Sequence, residues 1–473
     1  MLYVDGKWVD SDKRSNVNSP VTGKQIGSVP LADEGLVKAA IDSAESAKEK
    51  WRSTTRVDRA KLLLELGKQL HVIIDDVSQT ITMEMGKPLL SARTEIESSA
   101  NFITQTAEQI KRLETTYLPC EDADVISFTK LEPYGVFAII SPWNYPVFTS
   151  IAMLAPALAA GNTVVFKPAE QTPLSGQKLV ECFDKARFPP GVVNLVQGPG
   201  EITGEAITSS KKIDGIGFTG SIETGRRIAS RQADKLTHFV FELGGNGPSL
   251  VLDDADLPAA ASWVAESCYV NSGQDCQSGE RILVQEKIID EFTKQMIEKT
   301  RPWQLGDPMR PETKMGPLVE EAIASKVDRH ISDAVGKGAK ALTGGNRANG
   351  YPTNLYYQST VLSGVTPDMV IANEETFGPV CPLIKCGSID EAIELANSGD
   401  YGLACSVYTR DAKKAMMLSD KIKTGTVTIN YPSTFTDPGV PFGGMRKSGL
   451  GRIMGKYGIM SMSQLKSVFW NLG

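Results

Sequence analysis

Residues 135–166 read Gly-Val-Phe-Ala-Ile-Ile-Ser-Pro-Trp-Asn-Tyr-Pro-Val-Phe-Thr-Ser-Ile-Ala-Met-Leu-Ala-Pro-Ala-Leu-Ala-Ala-Gly-Asn-Thr-Val-Val-Phe. A wholly apolar run (135–140) leads into a loop pinned by Pro142 and Pro146. A helical stretch (147–160) follows, then a second apolar run (163–166). A strand apolar on both faces, a helix and another such strand predict a parallel sheet covered by helices on either side. The rhythm continues outward, with strand-like runs at 192–196, 213–218 and 238–241 and helical stretches at 174–186, 200–209 and 221–233. Five such strands predict a doubly wound, Rossmann-like α/β layer of the kind that holds a nucleotide.

Upstream, residues 34–115 carry helical periodicity: Val37, Ala40, Ile41 and Ala44 recur at three and four, as do Leu62, Leu63, Leu66 and Leu70. Downstream of Gly245 a second series of strand-like runs, at 249–252, 281–284, 339–342, 380–386, 404–409 and 426–430, predicts a second α/β domain. Between the helical lead-in and the first strand, residues 125–129 form a lone β-rich run that needs a partner, such as another subunit.

At 473 residues the chain has room for two or three domains. Charged residues at 22% and apolar residues at 41% are the balance of a folded chain. Fifty Lys and Arg against 56 Asp and Glu give a net charge of -6, and no basic block stands out, which argues against a nucleic-acid partner. The longest apolar stretch, 151–160, contains Pro156 and is about half of a membrane span. No membrane partner is expected. The first residues show no charged segment leading into an apolar one, so the expected location is the cytoplasm. Seven cysteines, an odd number without a paired framework, fit free thiols in a reducing compartment. Three isolated histidines and the absence of Cys-x-x-Cys spacing leave no expected metal site.

Among the cysteines, Cys276 differs in context. It sits in Asn271-Ser272-Gly273-Gln274-Asp275-Cys276-Gln277-Ser278, a polar, small-residue stretch that breaks a helical pattern and leaves a thiol reachable. Cys182, Cys381 and Cys386 lie in apolar helix or strand patterns and read as core. Glu242 ends a strand and precedes Leu243-Gly244-Gly245, a common place for a base, although an ordinary strand-terminal charge would look the same. Asn144, in the loop after the first strand, could donate its amide to a developing oxyanion or cap the helix that follows. Gly220 and Ser221 open a helix after a strand and offer N–H groups and a hydroxyl to a pyrophosphate, though Gly220 to Gly225 is not the dinucleotide glycine fingerprint. Lys167 and Glu170 stand at the end of the second strand, where a doubly wound sheet places a ribose.

In order and spacing, Pro-Trp-Asn at 142–144, Lys-Pro-x-Glu at 167–170, Phe-Thr-Gly-Ser at 218–221, Glu-Leu-Gly-Gly at 242–245, Gly-Gln-x-Cys at 273–276, Glu-Glu-x-Phe-Gly-Pro at 374–379 and Pro-Phe-Gly-Gly at 441–444 resemble the aldehyde dehydrogenase superfamily. The match runs from near residue 3 to residue 467. The resemblance implies Cys276 as nucleophile, Glu242 as general base, and Asn144 with the Cys276 N–H as oxyanion hole. It implies Lys167 and Glu170 at the adenosine ribose, Gly220, Ser221 and Trp143 near the pyrophosphate, Glu375 at the nicotinamide ribose and Phe377 at the nicotinamide. NAD is the expected cofactor because Glu170 would repel a 2′-phosphate, with NADP as the alternative. Phe148, Asp275, Gln277 and Phe435, together with Val147, Thr434 and Asp437, are expected to line the substrate tunnel.

The implied organisation is a nucleotide-binding domain from 1–115 and 132–244, a catalytic domain over 245–445, and an oligomerisation ribbon and C-terminal segment from 116–131 and 446–473, in a homodimer or homotetramer. The implied substrate is a small or medium aliphatic aldehyde or a semialdehyde, as residues 91–96 and 430–432 are similar to succinate semialdehyde dehydrogenases. No Arg flanks the thiol to anchor a carboxylate. Asp275 before the thiol, Asn246-Gly247 and Ile453 depart from the usual pattern, and the side chain of Asp275 is expected to point away from Cys276. A catalytically silent structural member and a nucleotide-free cysteine esterase are the competing readings.

Overall fold

The computed structural model describes all 473 residues. Its first sheet has eight strands. Five of them are parallel and lie in the spatial order His238–Leu243, Gly215–Gly220, Val136–Ile140, Thr163–Lys167, Val193–Leu195. The chain starts at the central strand, runs outward to one side through Thr163–Lys167, then returns to build the other side. That reversal opens a crevice beyond the carboxyl ends of Val136–Ile140 and Gly215–Gly220.

The helix Phe148–Ala160 is buried along most of its length, against the sheet on one side and the helix Leu89–Arg112 on the other. This double contact is why its sequence is apolar all round. Four helices, Glu34–Ser53, Arg56–Val72, Ile74–Met85 and Leu89–Arg112, account for the periodic lead-in.

Both edges of this sheet close with short antiparallel strands. Leu2–Val4 pairs with Val193–Leu195, and Gly449–Leu450 pairs with His238–Leu243 beside Glu242. The expected grouping of 446–473 with the ribbon is therefore divided, because its first residues join the nucleotide-type sheet.

The second sheet has seven strands in the order Lys340–Thr343, Thr360–Val365, Val380–Cys386, Gly279–Gln285, Gly247–Val251, Ala404–Tyr408, Thr426–Ile429. All are parallel except the edge strand Lys340–Thr343. Thr360–Val365 was not expected: Ser363 and Gly364 interrupt its apolar run.

The run at 125–129 belongs to Val125–Pro133, which is not alone and does not wait for a second subunit. It pairs with Tyr117–Pro119 and, over nine positions, with the chain's own Ser463–Asn471. The resulting three-stranded ribbon leaves Tyr117, Leu465, Phe469 and Trp470 exposed. No helix is long and apolar enough to cross a membrane.

Candidate active site

A cavity of about 320 Å³ opens at the crevice of the first sheet, and its far wall comes from the second sheet's side of the molecule. Asn144 from the loop after Val136–Ile140, Glu242 from the strand His238–Leu243, and Cys276 from the loop after the helix Leu257–Tyr269 all line it.

The thiol loop is held in an unusual shape. Asn271, Ser272 and Gly273 occupy the left-handed region in succession, at φ 53°, 58° and 73°. For non-glycine residues that conformation costs about 1–3 kcal/mol each and persists only where surrounding contacts impose it. Here Asn271 Nδ2 donates to the carbonyls of Asn144 and Gln274, each at 3.1 Å, and Ser272 Oγ donates to the Gly316 carbonyl at 2.9 Å. Gln274 accepts the Val319 N–H at 2.9 Å through its side-chain oxygen.

Asn144 does not cap the helix Phe148–Ala160. Its Nδ2 donates to the Gln274 carbonyl at 3.1 Å, which leaves the second amide hydrogen for the cavity. Cys276 is half-buried and free, while Cys182, Cys268, Cys381, Cys386 and Cys405 are buried. Burial pushes the Cys276 thiol well above the ordinary range, and the nearby carboxylates of Asp275, Glu375 and Glu242 add to the shift.

Glu242 sits inside a parallel pair with Thr219 on one side and opposite Gly449 on the other. It is buried, and neither carboxylate oxygen has a hydrogen-bond partner. Burial raises its pKa well above the usual carboxylate value, with Arg452 and the nearby Gly444 N–H pulling the other way. A buried, unpartnered carboxylate is costly in a merely structural role. The glycines that follow it are set by space: a Cβ on Gly245 would collide with the Cys276 carbonyl, and one on Gly244 would lie 2.9 Å from Glu375 Oε2.

Of the residues expected at a cofactor, Trp143, Gly220, Ser221, Glu375 and Phe377 line the same cavity. Trp143 and Phe377 meet edge to face with centroids 5.5 Å apart, and Phe377 stands at φ 58°. Glu375 Oε1 accepts the Gly245 N–H at 2.8 Å. Ser221 caps the helix Ile222–Arg231, its Oγ accepting the Thr224 N–H at 3.2 Å, so the hydroxyl is already engaged in orienting that helix start toward the cleft.

Lys167 and Glu170 lie elsewhere. Lys167 is buried and lines a smaller cavity at the ends of the same strands, together with Arg227 and Arg231. Glu170 is exposed, and its Oε1 accepts the Gly200 N–H at 2.6 Å. Free N–H groups at a helix start, a buried ammonium at a strand end and an unpartnered carboxylate beside a thiol suit a dinucleotide lying across the crevice.

On the substrate side, Phe148, Asp275, Gln277 and Thr434 line the cavity. Phe435 does not: it is exposed and packs edge to face on Tyr431 at 4.8 Å, while its neighbour Thr436 takes the lining position. Val147 is buried in the core and Asp437 stands outside the cavity. Asp275 does not turn out of the site. It lines the cavity, with Oδ2 accepting from the Tyr145 hydroxyl at 2.8 Å and Oδ1 from the Gln277 N–H at 2.8 Å.

Three supporting residues were not foreseen. Glu280, buried, accepts the Thr376 and Phe377 N–H groups at 2.8 Å each and so fixes the turn that presents Phe377. Lys87 and Glu95 form a buried ion pair at 2.5 Å, and Glu95 Oε1 accepts the N–H groups of Val147 and Phe148 at the start of the core helix.

Residues 8–468 match the aldehyde dehydrogenase family. The chain is 37% identical over 467 residues to a glutarate-semialdehyde dehydrogenase of Pseudomonas putida, covering 98% of this chain and 96% of that protein. It is 36% identical to an NADP(+) succinate-semialdehyde dehydrogenase of Escherichia coli, covering 98% and 96%. The crystal structure of betaine aldehyde dehydrogenase from Staphylococcus aureus in complex with NAD+ superimposes with a TM-score of 0.97 at 32% identity, covering 100% of this chain and 95% of that one. A match over nearly the whole length, on the fold and crevice described above, makes the protein a member of the aldehyde dehydrogenase family, an NAD(P)-dependent enzyme that oxidises an aldehyde to a carboxylic acid.

Proposed function

We propose that Cys276, Asn144 and Glu242 carry this reaction in the roles of nucleophile, oxyanion donor and base. The observation that carries the reading is their convergence on one cavity from three distant segments. The Cys276 sulfur, as thiolate, adds to the aldehyde carbon, and the carbonyl oxygen takes the electron pair. The free amide hydrogen of Asn144 and the Cys276 N–H hold that oxyanion. When bound, the nicotinamide supplies the acceptor for the hydride that leaves as the oxyanion collapses. A thioester then remains on Cys276. Glu242, unpartnered and with a raised pKa, takes a proton from water as it attacks the thioester, releasing the acid and the thiolate.

Trp143, Phe377 and Glu375 are assigned to the nicotinamide end and Lys167 and Glu170 to the adenosine ribose. The fixed Glu170 carboxylate favours NAD. Lys167 and Arg227 in the smaller cavity support NADP as the second reading. A comparison of kcat/KM for the two nucleotides, in the wild type and Glu170→Gln, decides between them.

The nucleotide-binding, catalytic and ribbon domains are assigned to 1–115 with 132–244, to 245–445, and to 116–131 with the C-terminal strand. The exposed apolar residues of the ribbon support a homodimer or homotetramer, and the free cysteines support a reducing, cytoplasmic location. The substrate assigned is a small or medium aliphatic aldehyde, a range that includes the semialdehydes named for the relatives. A panel of such aldehydes, followed by NAD(P)H absorbance and by identification of the acid, tests the function. Acid and reduced nucleotide in equal amounts support it, and acid formed without nucleotide reduction contradicts it.

A further inference from the structure

We propose that the preferred aldehyde carries a positively charged amino group on its chain, and that Asp275 is the residue that selects it over carboxylate-bearing semialdehydes. This rests on the reading of the cavity as an aldehyde site and adds the charge of its occupant.

Asp275 is placed where a substrate chain must pass, directly before Cys276 and on the cavity wall. Its two hydrogen bonds come from the Tyr145 hydroxyl and a backbone N–H, both neutral donors, so they orient the carboxylate without forming an ion pair; burial raises its pKa and the nearby Lys87 partly offsets that. A carboxylate offers about four acceptor directions and these donors use two. The rest of the wall holds three further carboxyl or amino side chains. Glu242 and Glu375 are the other acidic residues there, against a single cation, Lys326, and no arginine.

Lys326 opposes the charges of Glu375 and Glu280, so this cation and Glu375 offset one another at the end of the cavity assigned to the nicotinamide. Lys87, beneath Tyr145, acts on Asp275 from a distance but is paired with Glu95 at 2.5 Å, lies 3.5 Å from the Tyr145 ring centre and stands outside the cavity lining, so it cannot reach a substrate chain. A second carboxylate on the substrate would thus be desolvated beside a fixed one, with no guanidinium fork to receive it. An ammonium would instead find Asp275 and the aromatic walls of Phe148 and Phe442. The wall therefore carries both an attraction for one charge and a repulsion against the other, the two halves of a specificity device.

The test uses chain-matched aldehydes with the full-length enzyme: γ-trimethylaminobutanal, which cannot cyclise, butanal and succinate semialdehyde. In the wild type, kcat/KM for the cation is expected to exceed that for the anion by about tenfold or more, a modest share of what one close charge pair supplies near a protein surface. Asp275→Asn and Asp275→Ser, each referred to its own butanal rate, are expected to lower the cation-to-anion ratio by about tenfold. Inhibition of wild-type butanal turnover by propyltrimethylammonium, stronger than by butyrate, gives the same answer without a variant. Succinate semialdehyde turned over as well as or better than the cation, or a ratio unmoved in both variants, overturns the proposal. No NAD(P)H from any aldehyde overturns instead the assignment of the cavity, and this inference with it.

Discussion

The side-chain amide of Asn144 lies 3.1 Å from the Gln274 carbonyl, two residues before Cys276, and the Asn144 carbonyl receives Asn271 Nδ2 at the same distance. The loop that ends the first strand and the loop that presents the thiol are thereby locked to one another, across 130 residues of chain. One hydrogen of the Asn144 amide secures this lock, and the other is left without a protein partner on a side chain that lines the cavity. Replacing Asn144 with Ala is expected to lower kcat by about a hundred- to a thousandfold, the usual loss for one oxyanion donor. Steady-state kinetics check this, and an unchanged kcat would remove the donor role.

Glu242 makes no well-formed hydrogen bond, with only Arg452 and the Gly444 N–H acting weakly on it, so its replacement acts on chemistry more than on packing. Glu242→Gln is expected to keep a first turnover's worth of NAD(P)H and then stall, because the thioester lacks its base. Rapid-mixing kinetics would show a burst near one equivalent per active site. A variant with both the burst and the steady rate intact contradicts the assignment.

Both groups that must be deprotonated have raised pKa values, Cys276 by burial and then Asp275, and Glu242 by burial. A raised pKa moves the deprotonated, working form to higher pH, so kcat/KM is expected to climb as the pH rises and not to fall. Removing one of the carboxylates that oppose the thiolate, in Asp275→Asn, should shift the profile of Cys276 alkylation by iodoacetamide toward lower pH. A profile unmoved by that substitution would mean the carboxylate does not act on the thiol.

The buried pair Lys87–Glu95 supports the helix that follows the Asn144 loop. Lys87→Met strands a buried carboxylate and is expected to cost about 3–5 kcal/mol of stability, while Lys87→Met with Glu95→Gln recovers part of that loss. Urea unfolding of both variants measures it. A single variant as stable as the wild type would show that Glu95 is neutralised by other means.

Much of this was legible in the residues because it rests on local pattern. The parallel strands are apolar on both faces, and Gly245, after Glu242, stands where no Cβ fits against the Cys276 carbonyl. What escaped is long-range. Glu280 serves Phe377 from 97 residues away, and a buried carboxylate that accepts two backbone N–H groups leaves no periodic mark. Asn271 in a left-handed conformation reads as an ordinary polar loop residue until its two carbonyl partners are seen. Phe435 was expected in the tunnel from the family resemblance, but a loop has no periodicity to say which of Thr434, Phe435 and Thr436 faces in. The direction of Asp275 depended on Tyr145, 130 residues earlier in the chain.

The account stands most directly on the bond formed at one sulfur among seven cysteines. Glu242→Gln, incubated with aldehyde and NAD(P)+ and then quenched and digested, should carry an acyl group on the peptide that contains Cys276, seen by mass spectrometry as the mass of the acid less water. An acyl group on another cysteine, or none while reduced nucleotide accumulates, would contradict it.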